Sequence, residues 1–387
     1  MSTPAALPTA GPLAGVKVLE IASIGPGPMC GMLLADLGAQ VLRLDRVEPS
    51  GLGIARPPRF DLLQRGKRQL KVDLKAADGL ALALSLAEHA DVLIEGFRPG
   101  TLERLGLGPE ACLARNPRLV YGRVTGYGQS GPLAQTAGHD LNYIALSGAL
   151  HAIGRAGAAP TPPLNLLGDY AGGALMLAFG VVSALLSARQ TGRGQVVDTA
   201  MAEGVATLMT PLYGLLAAGL QNGPRGTNTL DSGAPFYDVY RCADDTYVSV
   251  APIEPKFRRV LLEHLGAEAQ GLPEMDDPAS WPQARQRLAA LFATRTRAQW
   301  CELLEGSDAC FAPVLAPLEA PQHAHHVARG AFVEIDGITQ PLPAPRFSVT
   351  PPDVPLPPQP AGAAAQDWAR AWGVPAVLLH AGLASQP

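Results

Sequence analysis

Three side chains in the sequence have the types and settings that chemistry requires. His139 lies in Gly138-His139-Asp140, after the loop Gly126-Tyr127-Gly128-Gln129-Ser130-Gly131-Pro132 and before an apolar run. That triplet reads as a helix start, with Asp140 near the cap. Backbone N–H groups at such a start can hold a developing oxyanion, although a histidine in a loop can equally be structural. Asp169 stands in Asn165-Leu166-Leu167-Gly168-Asp169, directly before a long apolar segment. Taken alone it reads first as a helix cap, yet Gly172 and Gly173 follow at once, and glycines disfavour a helix by roughly 1 kcal/mol each. Small residues there imply close approach of a ligand or of another backbone. Glu254, in Ile253-Glu254-Pro255, sits between a strand and a helix and reads by itself as an ordinary acid of a first helical turn.

Other residues point to a binding partner or away from one. Residues 56–75 hold seven basic side chains (Arg56, Arg59, Arg65, Lys67, Arg68, Lys71, Lys75) against two acids, a local excess of +5 in a chain of net charge −4. Arg43, Arg46, Arg98 and Arg104 add to it near strand ends. Arginine forks match phosphate oxygens, so a polyphosphorylated small ligand is one reading and a solvated basic surface is the other. The turn Gly25-Pro26-Gly27-Pro28 sits where a dinucleotide fingerprint would, but Cys30 replaces a required glycine and the prolines lack N–H donors. It reads as a tight strand-to-helix turn. His323, His325 and His326 have no helical i, i+4 pair and no strong acid partners, so no metal site is expected.

Elements must carry these residues. Short apolar strands at 16–22, 41–44, 91–95, 119–124 and 196–199 alternate with helical runs at 29–37, 76–89, 170–189 and 201–218. This pattern predicts an α/β fold with a Rossmann-like parallel sheet covered on both faces. After residue 220 a glycine-rich connection from Asn222 to Ala234 leads to a hairpin around Cys242–Asp245 and to helices at 256–265, 282–293 and 298–305, a smaller α+β domain. The predicted division is 1–200 for the large domain, 201–225 for a helical connector, 226–328 for the small domain, and 329–387 for a return to the large domain with a proline-rich tail.

Bulk composition narrows the class. The chain is 47% hydrophobic and 17% charged, enough to bury a core. Its acidity excludes a general nucleic-acid binder. Five scattered cysteines without a CxxC argue for a reducing compartment rather than for disulfides or zinc. The N-terminus lacks the pattern of a secretory signal, the C-terminal Leu383-Ala384-Ser385-Gln386-Pro387 lacks a Ser-Lys-Leu-type address, and the most apolar stretch, 171–186, is short for a membrane span. A soluble, cytoplasmic protein without membrane contact is expected.

Together the motifs resemble those of the family III coenzyme A transferases (CaiB/BaiF-like), and within them the α-methylacyl-CoA racemases. The matching stretches are Gly-Pro-Leu-Ala-Gly-Val-Lys-Val at the start, Leu-Ala-Asp-Leu-Gly-Ala near residue 35, Glu95-Gly96-Phe97-Arg98-Pro99-Gly100, the Gly-Tyr-Gly-Gln-Ser-Gly-Pro loop, Gly138-His139-Asp140-Leu141-Asn142-Tyr143, Asn165-Leu166-Leu167-Gly168-Asp169 and Ile253-Glu254-Pro255. They run from about Gly11 to Ser348. The resemblance implies that Asp169, His139 and Glu254 are the catalytic residues. It puts coenzyme A contacts on Arg46, Val72, Asp73, Leu74, Lys75, Gly96, Arg98, Arg104, Gly138, Asp140, Leu141, Asn142 and Tyr143. It also implies an interlocked homodimer, in which the partner subunit's Glu254 completes each site.

The chemistry so implied is epimerisation at the α-carbon of a 2-methylacyl-CoA thioester. His139, assisted by Glu254, serves one face and Asp169 the other, with no metal or cofactor beyond the substrate's own coenzyme A. Two other readings stand beside it: a CoA transferase with Asp169 as nucleophile, and an acyl-CoA binder without catalysis.

Overall fold

A computed structural model of the protein describes residues 7–48, 50–221 and 223–383. Residues 1–6 of the N-terminal segment read above, Asn222 at the start of the glycine-rich connection, and residues 384–387 of the C-terminus lie outside the described residues. The described residues form two compact units. The first draws on 1–147, 164–208 and 332–387, the second on 148–163 and 209–331. Residues 148–163, placed by chain order in the large domain, thus group with the second unit, and 201–208, read as connector, group with the first.

In the first unit the chain runs β1 (Lys17–Ile21), α1 (Pro26–Asp36), β2 (Gln40–Asp45), β3 (Arg68–Lys71), α2 (Ala77–His89), β4 (Val92–Glu95), α3 (Thr101–Arg104), α4 (Pro109–Arg115), β5 (Val120–Thr125) and α5 (Asp140–Leu146). After α6 (Ala149–Ala152), which belongs to the second unit, come a π-helix (Leu166–Leu175), α7 (Met176–Thr191), β6 (Gln195–Ala200) and α8 (Met201–Leu208). The six strands form one sheet in the order β3-β2-β1-β4-β5-β6, every pair parallel. The central strands β4 and β5 are buried at every residue, as helices on both faces demand of near-continuous apolar runs. The expected Rossmann-like parallel sheet is therefore present.

Four local features differ from the expectations. Strand β3 was unforeseen because Arg68-Gln69-Leu70-Lys71 has one apolar residue. It is an edge strand in which Leu70 enters the core and Arg68 lies over the Trp368 ring at 5.3 Å. The glycine-proline turn does not precede α1 but opens it, since Pro26 stands at the first helical position, where a missing N–H costs nothing. The helix expected at 201–218 breaks into α8 and α9 (Thr210–Ala217), with Pro211 in the first turn of the latter. The helix expected at 170–189 starts instead as ten residues of π-helix. Together with α7 that segment is 26 residues long and contains an 18-residue stretch of mean hydropathy 1.9, long and apolar enough to cross a membrane by those measures. Leu177, Val181, Ala184, Leu185 and Ala188 of α7 are buried with Val120 and Val124 of β5, so this face serves the core of the sheet.

The second unit has a three-stranded antiparallel sheet, β7 (Asp238–Arg241), β8 (Tyr247–Val250) and β9 (Phe311–Val314), in that order. The expected hairpin joins β7 to β8, with Asp245 at φ 64° in its turn. Helices α10 (Pro255–Leu265), α11 (Trp281–Phe292), α12 (Arg297–Leu304) and α13 (Ala324–Arg329) complete it. Its core centres on Tyr240 stacked on Phe292 at 5.0 Å, with Trp300 edge-on at 4.9 Å.

The chain then returns to the first unit through the hairpin β10 (Phe332–Ile335) and β11 (Ile338–Pro341), an extended segment, α14 (Ala363–Trp372) and α15 (Ala376–Gly382). The extended segment runs beside β3, where the Gly66 amide donates to the Leu356 carbonyl at 2.9 Å. Trp372 donates to Gln40 at 2.8 Å, which ties α14 beneath β2.

Candidate active site

Because all six strands point one way, their carboxyl ends share one edge, and the crevice of such a sheet opens where the strand order reverses, between β1 and β4. The expected site residues of the first unit follow this edge. Arg46 comes directly after β2, exposed, with its guanidinium 5.7 Å from the Phe97 ring. Val72–Lys75 come after β3. Val72 is buried in the core and Leu74 packs against it, while Asp73 accepts the Lys75 amide at 2.9 Å, so this segment offers backbone and the exposed Lys75. Gly96 and the exposed Arg98 come after β4. A β-carbon at Gly96 would sit 3.0 Å from the Ser23 hydroxyl, so the strand ends approach closely there. Arg104 is exposed at the end of α3 and donates to Thr101 at 3.2 Å.

The loop after β5 leads to α5. His139 is exposed at its N-cap, and the Asn142 side chain accepts the His139 amide at 3.0 Å. Tyr143 packs edge-on against Tyr127 at 5.1 Å and donates to the Gly138 carbonyl. Gly138 and Gly126 are required here, since a β-carbon would lie 2.8 Å and 2.1 Å from the Tyr143 ring. Leu141 is exposed. Asp140, by contrast, is buried at 5% exposure.

Asp169 stands in the first turn of the π-helix, half-buried. Its amide donates to Asp140 Oδ2 at 2.7 Å, and the Asn165 side chain donates to its Oδ2 at 3.2 Å. On the other side is the turn into α1, where a β-carbon at Gly25 would lie 3.2 Å from the carboxylate; Gly25 also needs its φ of 68°. Burial pushes the Asp169 pKa above the ordinary carboxylate value, and the Asp140 charge adds to the rise, while Asn165 and His139 draw it down. Two expected residues, His139 and Asp169, are thereby brought into one site, with Asp140 between them.

The glycines after Asp169 have a packing cause. A β-carbon at Gly172 would meet Val205 Cγ2 at 2.5 Å, and one at Gly204 of α8 would meet the Gly172 carbonyl at 1.9 Å. Between the alternatives of ligand and backbone, these glycines admit a backbone. π-Helical turns are rare and cluster at functional sites; here one carries the candidate acid.

Glu254 is exposed at the N-cap of α10 in the second unit. Arg258 fixes its loop by donating to the Ile253 carbonyl and to Asp276, with its guanidinium 4.4 Å from the Phe236 ring.

Three of the seven basic residues of the segment prove internal. Arg65 pairs with Asp36 at 2.5 Å and Lys67 with Glu20 at 2.6 Å, both buried, and Arg68 covers Trp368. Arg56 and Arg59 face Asp61 and Asp336. Part of the local excess of positive charge thus serves folding, while Lys75, Arg46, Arg98 and Arg104 are exposed near the strand ends. His323 bonds Glu305 at 2.8 Å.

Sequence reading missed Asn165, which steadies the carboxyl, and the buried Glu95. Glu95 ends β4, accepts the Phe97 amide at 2.7 Å and an Arg123 N–H at 3.1 Å, and its pKa is pushed up to about 7 by burial. It shapes the Gly96–Arg98 turn. Asn165 was in plain view in the Asn-Leu-Leu-Gly-Asp motif, four residues before Asp169.

The sequence profile described as "CoA-transferase family III" matches residues 13–364. The chain belongs to CoA-transferase family III. Within the family it is 47% identical over 341 residues to a mouse protein named α-methylacyl-CoA racemase, covering 88% of this chain and 87% of the mouse protein. The human protein of the same name is 45% identical over 342 residues, with the same two coverages, 88% and 87%. Among solved structures, a CaiB/BaiF family protein from Brucella suis matches with a TM-score of 0.78 at 25% identity, over 95% of this chain and 100% of that one.

Proposed function

We propose that this family III protein epimerises the α-carbon of 2-methylacyl-CoA thioesters, as the names of its mouse and human relatives suggest. The observation that carries the proposal is the 2.7 Å bond from the Asp169 amide to Asp140, the residue next to His139. It ties the segment that carries His139 to the one that carries Asp169, and the His139 charge acts on the Asp169 carboxyl.

An α-proton beside a thioester is weakly acidic, so its removal needs a placed base and a stabilised enolate. One of the two groups breaks the α-C–H bond and takes the proton, and the electron pair moves onto the thioester oxygen as an enolate. Backbone amides at the start of α5, near Asp140, hold that oxygen. The other group then gives a proton to the opposite face, and the substrate leaves with inverted configuration and unchanged composition. Asp169 serves one face. His139 serves the other, assisted by Glu254 of the partner subunit. No metal or further cofactor enters this scheme.

Coenzyme A follows the strand ends. Arg46, Arg98, Arg104 and Lys75 take its phosphates, and Val72, Asp73, Leu74, Gly96, Gly138, Asp140, Leu141, Asn142 and Tyr143 line its path. An interlocked homodimer fits the exposed apolar residues along the π-helix and α7: Leu175 at 51%, Phe179 at 74% and Leu186 at 60%. Such apolar exposure marks contact surfaces. Five free thiols fit a soluble enzyme of a reducing, cytoplasmic compartment.

The test is incubation with one epimer of a 2-methylacyl-CoA in deuterated water, with and without a free carboxylic acid. Deuterium at the α-carbon with loss of configuration supports epimerisation. Transfer of CoA to the acid supports the transferase reading and overturns this one, and neither outcome leaves a binder. His139→Ala and Asp169→Ala each lose about 10²- to 10⁴-fold of the exchange rate, the usual range for acid–base groups, while retaining CoA affinity. Full activity in either variant removes that residue from the mechanism.

A further inference from the structure

Asp140 is the one carboxylate of the site that is turned inward. It is 5% exposed, although the residues on either side, His139 and Leu141, are exposed. Its Oδ2 accepts the Asp169 amide at 2.7 Å, and its Oδ1 is buried without a hydrogen-bond partner among the described residues. Gly168 lies so near that a β-carbon there would be 2.6 Å from the same Oδ2. A side chain placed like this has little left to offer a coenzyme A phosphate, which it would also repel. Its one strong bond runs to the backbone of the neighbouring acid.

We propose that Asp140 is a positioning residue for catalysis: its carboxylate ties the His139 segment to the first turn of the π-helix and so sets where the Asp169 carboxyl stands relative to the imidazole. The inference deepens the epimerase function proposed above and rests on it. It moves the side chain of Asp140 from substrate binding to positioning and leaves its backbone free to face the thioester. The geometry is also electrostatic. The ionisable groups acting on the Asp169 carboxyl are Asp140, whose charge raises its pKa, and His139, which lowers it. Tyr143, also on α5, is pushed up to about 12 by burial first and then by the Asp169 charge. Facing Asp169 from α1, the turn Gly25-Pro26-Gly27-Pro28 carries no ionisable side chain.

Asp140→Asn keeps an acceptor for the Asp169 amide and removes the charge, and Asp140→Ala removes both. The full-length protein is assayed for α-deuterium exchange across pH, for KM, and for amide hydrogen exchange of the 164–175 peptide by mass spectrometry. In Asp140→Asn the KM stays within about twofold. The acidic limb of the kcat profile, in the direction in which Asp169 removes the proton, moves to lower pH, and peptide protection is unchanged. In Asp140→Ala, kcat falls at least tenfold further and the 164–175 peptide exchanges faster. If Asp140→Ala does not fold, the limb in Asp140→Asn decides. A raised KM with an unmoved pH limb overturns the proposal in favour of a coenzyme A contact. Should the wild type show no exchange of the α-proton, the epimerase function fails, and peptide protection alone still decides whether Asp140 holds Asp169 in place.

Discussion

Replacing Gly204 by alanine tests whether the crossing of α8 and the π-helix sets the position of Asp169. In the structure a β-carbon at Gly204 would lie 1.9 Å from the Gly172 carbonyl oxygen and 2.7 Å from its carbon. Both atoms belong to backbone, so no rotamer change relieves the contact. Reaching an ordinary separation of 3.4 Å moves one helix from the other by about 1.5 Å. Gly172 is three residues from Asp169 in the same π-helix, so the carboxyl shares that movement. Overpacking of this kind destabilises by about 1–3 kcal/mol, and a misplacement of about 1 Å at a reacting group lowers the rate about 10²-fold. Gly204→Ala should therefore remain folded with a lowered urea midpoint, while kcat for α-deuterium exchange drops about 10²-fold and coenzyme A affinity holds. A variant with wild-type stability and wild-type exchange would refute the idea that this backbone contact sets the site.

Two further predictions concern buried charge. Lys67→Met leaves Glu20, at 0% side-chain exposure, with Arg43 at 3.6 Å but without Lys67 at 2.6 Å, which should destabilise by up to about 3–5 kcal/mol; the double change Glu20→Gln with Lys67→Met recovers part of this in urea unfolding, and an unshifted midpoint in Lys67→Met would remove the pair from the fold's support. Glu95 is raised from 4.5 to about 7 in the folded chain, so the folded state binds more protons than the unfolded one between those values and stability falls as pH rises through that window. At 1.36 kcal/mol per unit the loss is about 3 kcal/mol, and Glu95→Gln should flatten this slope when unfolding is compared at pH 5 and pH 7.5; equal slopes would contradict it.

The parallel sheet was legible because fully buried strands such as Val92-Leu93-Ile94-Glu95 read as apolar runs between helical patterns. Strand β3 was hidden because an edge strand needs only one apolar face, and two of its four residues, Arg68 and Lys71, belong to the basic run that suggested a phosphate site. What no local pattern could show is that Arg65 and Lys67 meet Asp36 and Glu20, residues 29 and 47 positions away. The π-helix was invisible for a related reason: its ten residues have the composition of an apolar helix, and its tight crossing with α8 pairs glycines 32 positions apart. The site residues themselves were legible as motifs, but the burial of Asp140 was not, since its inward turn depends on a donor 29 residues later in the chain.

That inward turn bears on which of two chemistries Asp169 performs. A carboxyl that attacks a thioester carbonyl must do so as its anion, and a site built for attack gains by stabilising that anion. The surroundings of Asp169 act the other way. Burial and the Asp140 charge favour its neutral form, with Asn165 and His139 only partly opposing them. A proton carrier needs this balance, because it must be an acid in one direction of the reaction and a base in the other, and its pKa works best when drawn toward the operating pH. An acid that must give up and retake a proton gains from the negative charge placed behind it, whereas a nucleophilic carboxylate would gain nothing.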